Sequence, residues 1–361
     1  MPLYAIAVAP TSTGAMPLHR EFFYNRFARG REIGETEGYC FILKPRILNK
    51  MKTNEIQIRD PFVLPVPEEQ CYYLFGTTDL NCWGGEATGF DCYRSRDLEN
   101  WDGPIPAFRP PADFWATHNF WAPEVHRFNG RYYMFATFAA DKRYRGTQIL
   151  VADKPQGPYA PLTDGPITPP NWQCLDGTLY VDPDGAPWIV FCHEWMQIHN
   201  GAMHAMQLSA DLKTAVAPPV FLFNASEAPW AYPSGWPAEG ERSQFPSYLS
   251  GPELNAAYPF PLYVTDGPFL HRTASGTLLM LWSTLGNDGY TMGLARSRSG
   301  HITGPWEQLP KPLWTEDGGH GMLFRSFKGK LFLTLHQPNN TPDERPHFFE
   351  IEETNNAIHL K

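Results

Sequence analysis

Three aspartates stand directly ahead of short apolar stretches: Asp60-Pro-Phe-Val-Leu, Asp176-Gly-Thr-Leu-Tyr-Val and Asp266-Gly-Pro-Phe-Leu. Carboxylates in such company can break an acetal bond with water. One must be ionised to take a proton from the water, and a second must stay protonated near neutrality to supply the leaving oxygen. For a direct, inverting attack the two lie about 6.5 to 9.5 Å apart. A third carboxylate close to the acid keeps that acid protonated by like-charge repulsion, a part that suits Asp176. Glu194, in Cys-His193-Glu194-Trp, is a rival for the acid. Each aspartate also has a plainer reading, because Asp before Pro or Gly forms turns through its own side chain. Asp164 and Asp184, beside glycines, are read that way.

Catalysis requires that the three converge, and a repeat in the chain supplies the means. An anchor residue, an apolar strand, a tight turn and further strands recur five times, with anchors at Asp60, Trp121, Asp176, Asp266 and His320. The turns include Asn129-Gly130, Asp184-Gly185, Ser275-Gly276 and Lys328-Gly329, which suit antiparallel hairpins. Anchor spacings of 61, 55, 90 and 54 residues approach the period of propeller blades. The expected fold is therefore all-β: a single five-bladed β-propeller over residues 51–361, with an N-terminal extension. With 30 Gly and 36 Pro, the chain suits many short strands better than a helical bundle. The first strand of every blade lines the axis, so the anchors meet there.

These motifs, in order and spacing, resemble the blade starts of glycoside hydrolase family 43. They are Arg59-Asp60-Pro61, Trp121-Ala-Pro-Glu124, Asp176-Gly-Thr-Leu-Tyr-Val-Asp-Pro-Asp-Gly185, Thr265-Asp-Gly-Pro-Phe-Leu270 and Gly318-Gly-His-Gly321. The resemblance runs from Ile56 to the C-terminus. It implies an inverting O-glycosyl hydrolase with Asp60 as general base, Asp176 as the helper that tunes the acid and holds the sugar, and Asp266 as general acid. The family usually has Glu before Gly-Pro, so Asp266 is one methylene short. Trp121, His193 and His320 are expected to touch substrate, and Glu124 to hold its blade start by hydrogen bonding. His320 would also face a structural calcium ion on the axis through water. No cofactor is required. The expected activity is that of an exo-acting α-L-arabinofuranosidase, with β-xylosidase, endo-arabinanase or galactofuranosidase as alternatives. A non-catalytic carbohydrate-binding propeller is the alternative of another class.

The remaining readings bound the setting. A formal net charge of −9 argues against nucleic acid or anionic membrane as partner and suits a neutral oligosaccharide. The six cysteines form no C-x-x-C pair, and Met1 to Ala15 lacks the features of a secretory signal, which leads to an expected cytoplasmic location. Residues 1–50 carry a net charge of +3 against −12 for the rest and read as an arm, with Met51 an alternative start. Its Glu21 to Ala28 stretch suggests an amphipathic turn. Residues 224–257, rich in Pro, Ser, Trp and Tyr, account for the long third spacing and are expected to form a lid or pocket wall.

Overall fold

The computed structural model describes residues 49–233 and 262–361. The Glu21 to Ala28 turn, the rest of the arm before residue 49, and most of the expected lid lie outside the described residues. Five antiparallel sheets follow one another along the chain, as the repeat requires. Their innermost strands are β2 (Arg59–Val66), β6 (His118–Phe128), β10 (Cys174–Val181), β14 (Asp266–Arg272) and β18 (Gly319–Arg325). The next strands outward are β3 (Cys71–Thr77), β7 (Arg131–Ala139), β11 (Pro187–His193), β15 (Leu278–Gly286) and β19 (Leu331–Gln337). The first sheet has a fifth strand, β1 (Asn49–Lys52), paired to the outer edge of Asn100–Phe108. The first described strand thus starts two residues before Met51. Among the described residues the only α-helix is one turn, Trp195–Ile198.

Every innermost strand carries the same irregularity near its start. The ladder register shifts between Arg59 and Phe62, Trp121 and Glu124, Leu175 and Thr178, Asp266 and Phe269, and Gly319 and Met322. The second residue of each bulge is left-handed: Asp60 (φ 53°), Ala122 (46°), Asp176 (55°), Gly267 (53°) and His320 (48°). Asp and His are among the non-glycine types that tolerate this region best, and bulges of this kind re-aim side chains beside functional sites. The equivalent positions are therefore 60, 122, 176, 267 and 320. The anchors assigned to Trp121 and Asp266 from residue type sit one place earlier in the repeat.

The bulges also join the blades. Ala122 N–H donates to Thr77 Oγ1 at 2.8 Å, Asp176 N–H to Thr137 Oγ1 at 2.9 Å, His320 N–H to Ser283 Oγ at 2.9 Å, and Asp60 N–H to His336 Nδ1 at 3.1 Å. Each acceptor lies on the second strand of the preceding blade, cross-strand from the first residue of that blade's bulge. The fifth such position is Cys192, opposite Leu175. A thiol is a weak acceptor, and Gly267 N–H turns instead to Asp176 Oδ2 at 3.1 Å.

Packing between blades is largely aromatic. Phe90, Phe108, Phe120 and Phe138 form one buried cluster between the first two blades. Phe223, Trp230 and Trp282 join the third and fourth. The seam between fifth and first blades is polar as well: Arg59 Nη1 meets Glu344 Oε1 at 2.8 Å, and Arg59 Nη2 donates to Asn339 Oδ1 at 2.7 Å. Glu344 is fully buried. Replacing it by Ala strands a buried guanidinium, a change of about 3 to 5 kcal/mol by analogy with other buried pairs. Thermal or urea unfolding of Glu344→Ala is expected to show a loss of this order, whereas a loss below about 1 kcal/mol would mean that the pair does not hold the seam.

Candidate active site

The bulges deliver Asp60, Asp176 and His320 to one point on the axis. Asp60 Oδ1 lies 3.1 Å from His320 Nδ1, and Asp176 Oδ2 lies 3.6 Å from the same nitrogen. Asp60 Oδ2 also accepts the Thr77 hydroxyl at 2.7 Å. Burial works against the Asp60 charge, but His320, by charge and hydrogen bond, followed by Arg59, holds this carboxyl well below the usual carboxylate range. Burial likewise opposes the His320 charge. Asp60, Asp176 and Asp266 outweigh it and raise the imidazole to about 10. His336 Nδ1 lies 3.6 Å from Asp60 Oδ1, yet it is no cation. That nitrogen already accepts the Asp60 N–H, while burial, then Arg59, lowers the imidazole to about 3. His336 is thus a neutral acceptor.

Asp266 reaches the cluster from the bulge position before Gly267 and accepts the Tyr290 hydroxyl on Oδ2 at 3.1 Å. Gly267 packs so closely on His320 that a Cβ there would lie 2.6 Å from the ring. Burial raises the pKa of Asp176 and of Asp266, and both are opposed by His320. Asp266 and Asp60 raise Asp176 further; Asp60 and Glu194 raise Asp266. Two buried carboxyls that repel each other retain a proton that isolated carboxylates lose, and that proton belongs to the pair.

Glu194 is engaged differently. Both of its oxygens accept from Arg145 Nη1 at 2.7 Å, and its side chain is 5% exposed. The Arg145 guanidinium in turn lies 4.3 Å over the ring of Trp121. Trp121 donates Nε1–H to the Cys82 carbonyl at 2.6 Å and meets Trp83 edge to face at 5.4 Å. Arg59 lies 4.8 Å over the other ring, that of Trp83, which is 59% exposed. Two neighbouring indoles are thus flanked by two guanidinium groups, and the second of these meets Glu194 of the third blade. His193 is stacked on Trp172 at 4.2 Å, with Nε2 engaged by Gln197 at 2.8 Å. Glu124 takes the Thr178 hydroxyl at 2.5 Å, tying the second blade to the third as a structural link.

Reasoning from the sequence passed over Thr77, Arg145, Tyr290 and His336. The one usable signal was position, because Thr77 ends the second strand of its blade. Calcium is held through six to eight oxygens. Among the described residues no three His, Cys, Asp or Glu side chains converge as a metal cage, and His320 Nδ1 is already shared by two carboxylates. The side chains present do not fit a directly held ion, and no chemical step is routed through one. A cavity of about 280 Å³ opens on the axis among Phe62, Leu64, His126, Phe269, Met322 and Phe324, and none of the three aspartates lines it.

A five-bladed propeller with three acids on its axis is the frame of a carbohydrate hydrolase. The chain belongs to glycosyl hydrolases family 43, whose model matches residues 54–352. It is similar to the endo-arabinase from Bacteroides thetaiotaomicron VPI-5482, with 38% identity, a TM-score of 0.74, and coverage of 85% of this chain and 98% of that one. It also resembles the extracellular endo-alpha-(1->5)-L-arabinanase 1 of Bacillus subtilis (strain 168), at 25% identity over 156 residues. That match spans 40% of this chain and less than half (46%) of the Bacillus protein. The alpha-L-arabinofuranosidase from Lactobacillus brevis shares the fold at 15% identity, with a TM-score of 0.61 over 84% of this chain and 95% of that one.

The charge pattern sets a pH dependence of stability. His320 has a raised pKa in the folded chain, so its contribution is complete below the ordinary histidine value of 6.5 and is lost as pH rises toward about 10. Asp176 and Asp266 act in the same direction, since their raised pKa values favour the folded state most where they are protonated. Urea unfolding is therefore expected to show stability falling between pH 6.5 and 10, with a shallower slope in His320→Gln. An unchanged slope in that variant would remove the imidazole as the source.

Proposed function

We propose that the protein is an inverting glycoside hydrolase that cuts α-L-arabinofuranosyl linkages within arabinan. The observation that carries the chemistry is the opposed state of the carboxyls in one site: His320, 3.1 Å from Asp60, holds that carboxyl ionised, while burial favours a proton on the pair Asp176 and Asp266, raised to about 8 and about 6. Asp60 takes a proton from the water whose oxygen attacks the anomeric carbon. The glycosidic C–O bond breaks with its electron pair going to the leaving oxygen, which receives the proton of Asp266. When the proton of the pair sits on Asp266, the Asp176 charge opposes its loss, and Gly267 N–H and His320 at Asp176 Oδ2 keep that carboxylate oriented. Glu194 is the weaker candidate for the acid. With both oxygens on Arg145 it is held as an acceptor, and it positions Arg145 beneath Trp121.

Arabinan is preferred as substrate because a relative described as an endo-arabinase is matched at 38% identity over 98% of its length. Exo-acting removal of terminal arabinofuranose, the expectation drawn from the sequence, uses the same residues and differs in its products. The assignment is tested by digesting linear arabinan and following product size and anomeric form. Internal cutting with inversion gives a ladder of oligosaccharides whose new reducing ends appear first as the β-anomer. Arabinose alone from the outset would point to exo action. Release from p-nitrophenyl β-D-xyloside or β-D-galactofuranoside, without action on arabinan, would reassign the sugar.

Two substitutions separate the roles. Asp60→Asn is expected to lower turnover at least 10³-fold on arabinan and on p-nitrophenyl α-L-arabinofuranoside alike, since both need an activated water. Asp266→Asn should cost about 10² to 10⁴-fold on arabinan and far less on the nitrophenyl glycoside, whose leaving group needs no proton. Glu194→Gln showing the second pattern in place of Asp266→Asn would transfer the acid to Glu194. Binding of arabinan without any cleavage by the wild type would favour a non-catalytic propeller.

A further inference from the structure

Tyr290 belongs to none of the blade-start motifs, yet it is the buried residue nearest in function to the proposed acid. It is 3% exposed, at the start of the strand Gly289–Ser297, and its hydroxyl donates to Asp266 Oδ2. Three contacts fix the ring. Its N–H donates to Asp317 Oδ1 at 3.1 Å. The ring edge lies so close to Gly319 that a Cβ there would stand 2.6 Å from Tyr290 Cε1. Its face stacks on His336, with centroids 5.7 Å apart and planes 24° from parallel. That histidine is the one that accepts the Asp60 N–H. The stacked pair thus carries Asp266 on the tyrosine and Asp60 on the histidine, bridging the fourth and fifth blades.

We propose that Tyr290 is a positioning residue for the general acid: its hydroxyl holds Asp266 Oδ2, so that the proton to be donated sits on Oδ1. The proposal rests on the reading of Asp266 as the acid. An aspartate in place of glutamate has one torsion fewer but also one methylene less of reach, so a misdirected carboxyl cannot recover by extending. A donor fixed on one oxygen removes the misdirected orientations. The phenol suits this task because burial, followed by the nearby Asp266, Asp60 and Asp176 charges, pushes its own pKa well above 10 and leaves it a donor throughout the working range. The hydrogen bond also moderates the acid. Burial, Asp60 and Glu194 raise the pKa of Asp266 and the coupled Asp176 repels it, while His320 and the Tyr290 hydroxyl lower it.

The test is Tyr290→Phe in the full chain, which keeps the stack on His336 and removes only the hydroxyl. On arabinan, kcat is expected to fall about tenfold with KM within about twofold, the size of one hydrogen bond to a charged or proton-donating group. The alkaline limb of kcat/KM should move to higher pH, because a donor to the ionised carboxylate is gone. The Asp266 carboxyl carbon, followed by NMR in aspartate-labelled protein and assigned with Asp266→Asn, should titrate higher in parallel. Placing 3-fluorotyrosine at 290, a stronger donor of nearly the same size, should move both quantities the other way. If the limb and the carboxyl titration are unchanged in both variants, the proposal is overturned while the acid is still decided by the Asp266→Asn result. If Asp266→Asn cuts arabinan at the wild-type rate, the catalytic reading falls and this proposal with it.

Discussion

The structure depends on one backbone constraint repeated five times: a left-handed residue in a bulge at the start of each innermost strand, with its N–H captured by a neighbouring blade or, once, by the site itself. Two requirements meet in that residue. The bulge turns the side chain away from the ladder and toward the axis, and the N–H left unpaired must find an acceptor because it is buried. The left-handed conformation costs roughly 1 to 2 kcal/mol for an L-residue, and a hydrogen bond returns a net of about 0.5 to 1.5. The ring is therefore near balance in energy at each position. What it gains is direction, since three side chains of different blades are aimed at one point.

Much of the fold was legible because propeller blades write themselves locally. Apolar strands, Gly-containing turns and a regular spacing are short-range features, and Asn129-Gly130 needs no tertiary context to turn. Asp60, Asp176 and His320 were legible for a related reason, because the residue types that tolerate a left-handed backbone are also those that do acid and base chemistry. Asp266 shows the limit. Its type matched Asp60 and Asp176, but the backbone aligns Gly267 with them, and nothing in the residue types distinguishes a bulge's first place from its second. Tyr290, His336 and Arg145 were not legible at all. Tyr290 meets His336 and Asp266 only through packing of blades far apart in sequence, and Arg145 looks like any loop arginine until Glu194 and Trp121 close on it.

One departure from fivefold regularity carries functional weight. Four blades offer a hydroxyl or an imidazole nitrogen to the next blade's bulge, and the third offers the Cys192 thiol. The amide left over, Gly267 N–H, is then spent on Asp176. A scaffold hydrogen bond has become a site hydrogen bond through the identity of one side chain, with no change in the path of the backbone.

The seam between the fifth blade and the first has a mechanical consequence. The strand Asn49–Lys52 is added to the outside of the first blade, so among the described residues no strand is exchanged across the junction, and hydrogen bonds and packing close the hoop. Its principal clasp, Arg59 on Glu344, is attached one residue from Asp60, and a second clasp is the Asp60 amide itself on His336. The joint contains the proposed base, so any opening of the ring there displaces Asp60 directly.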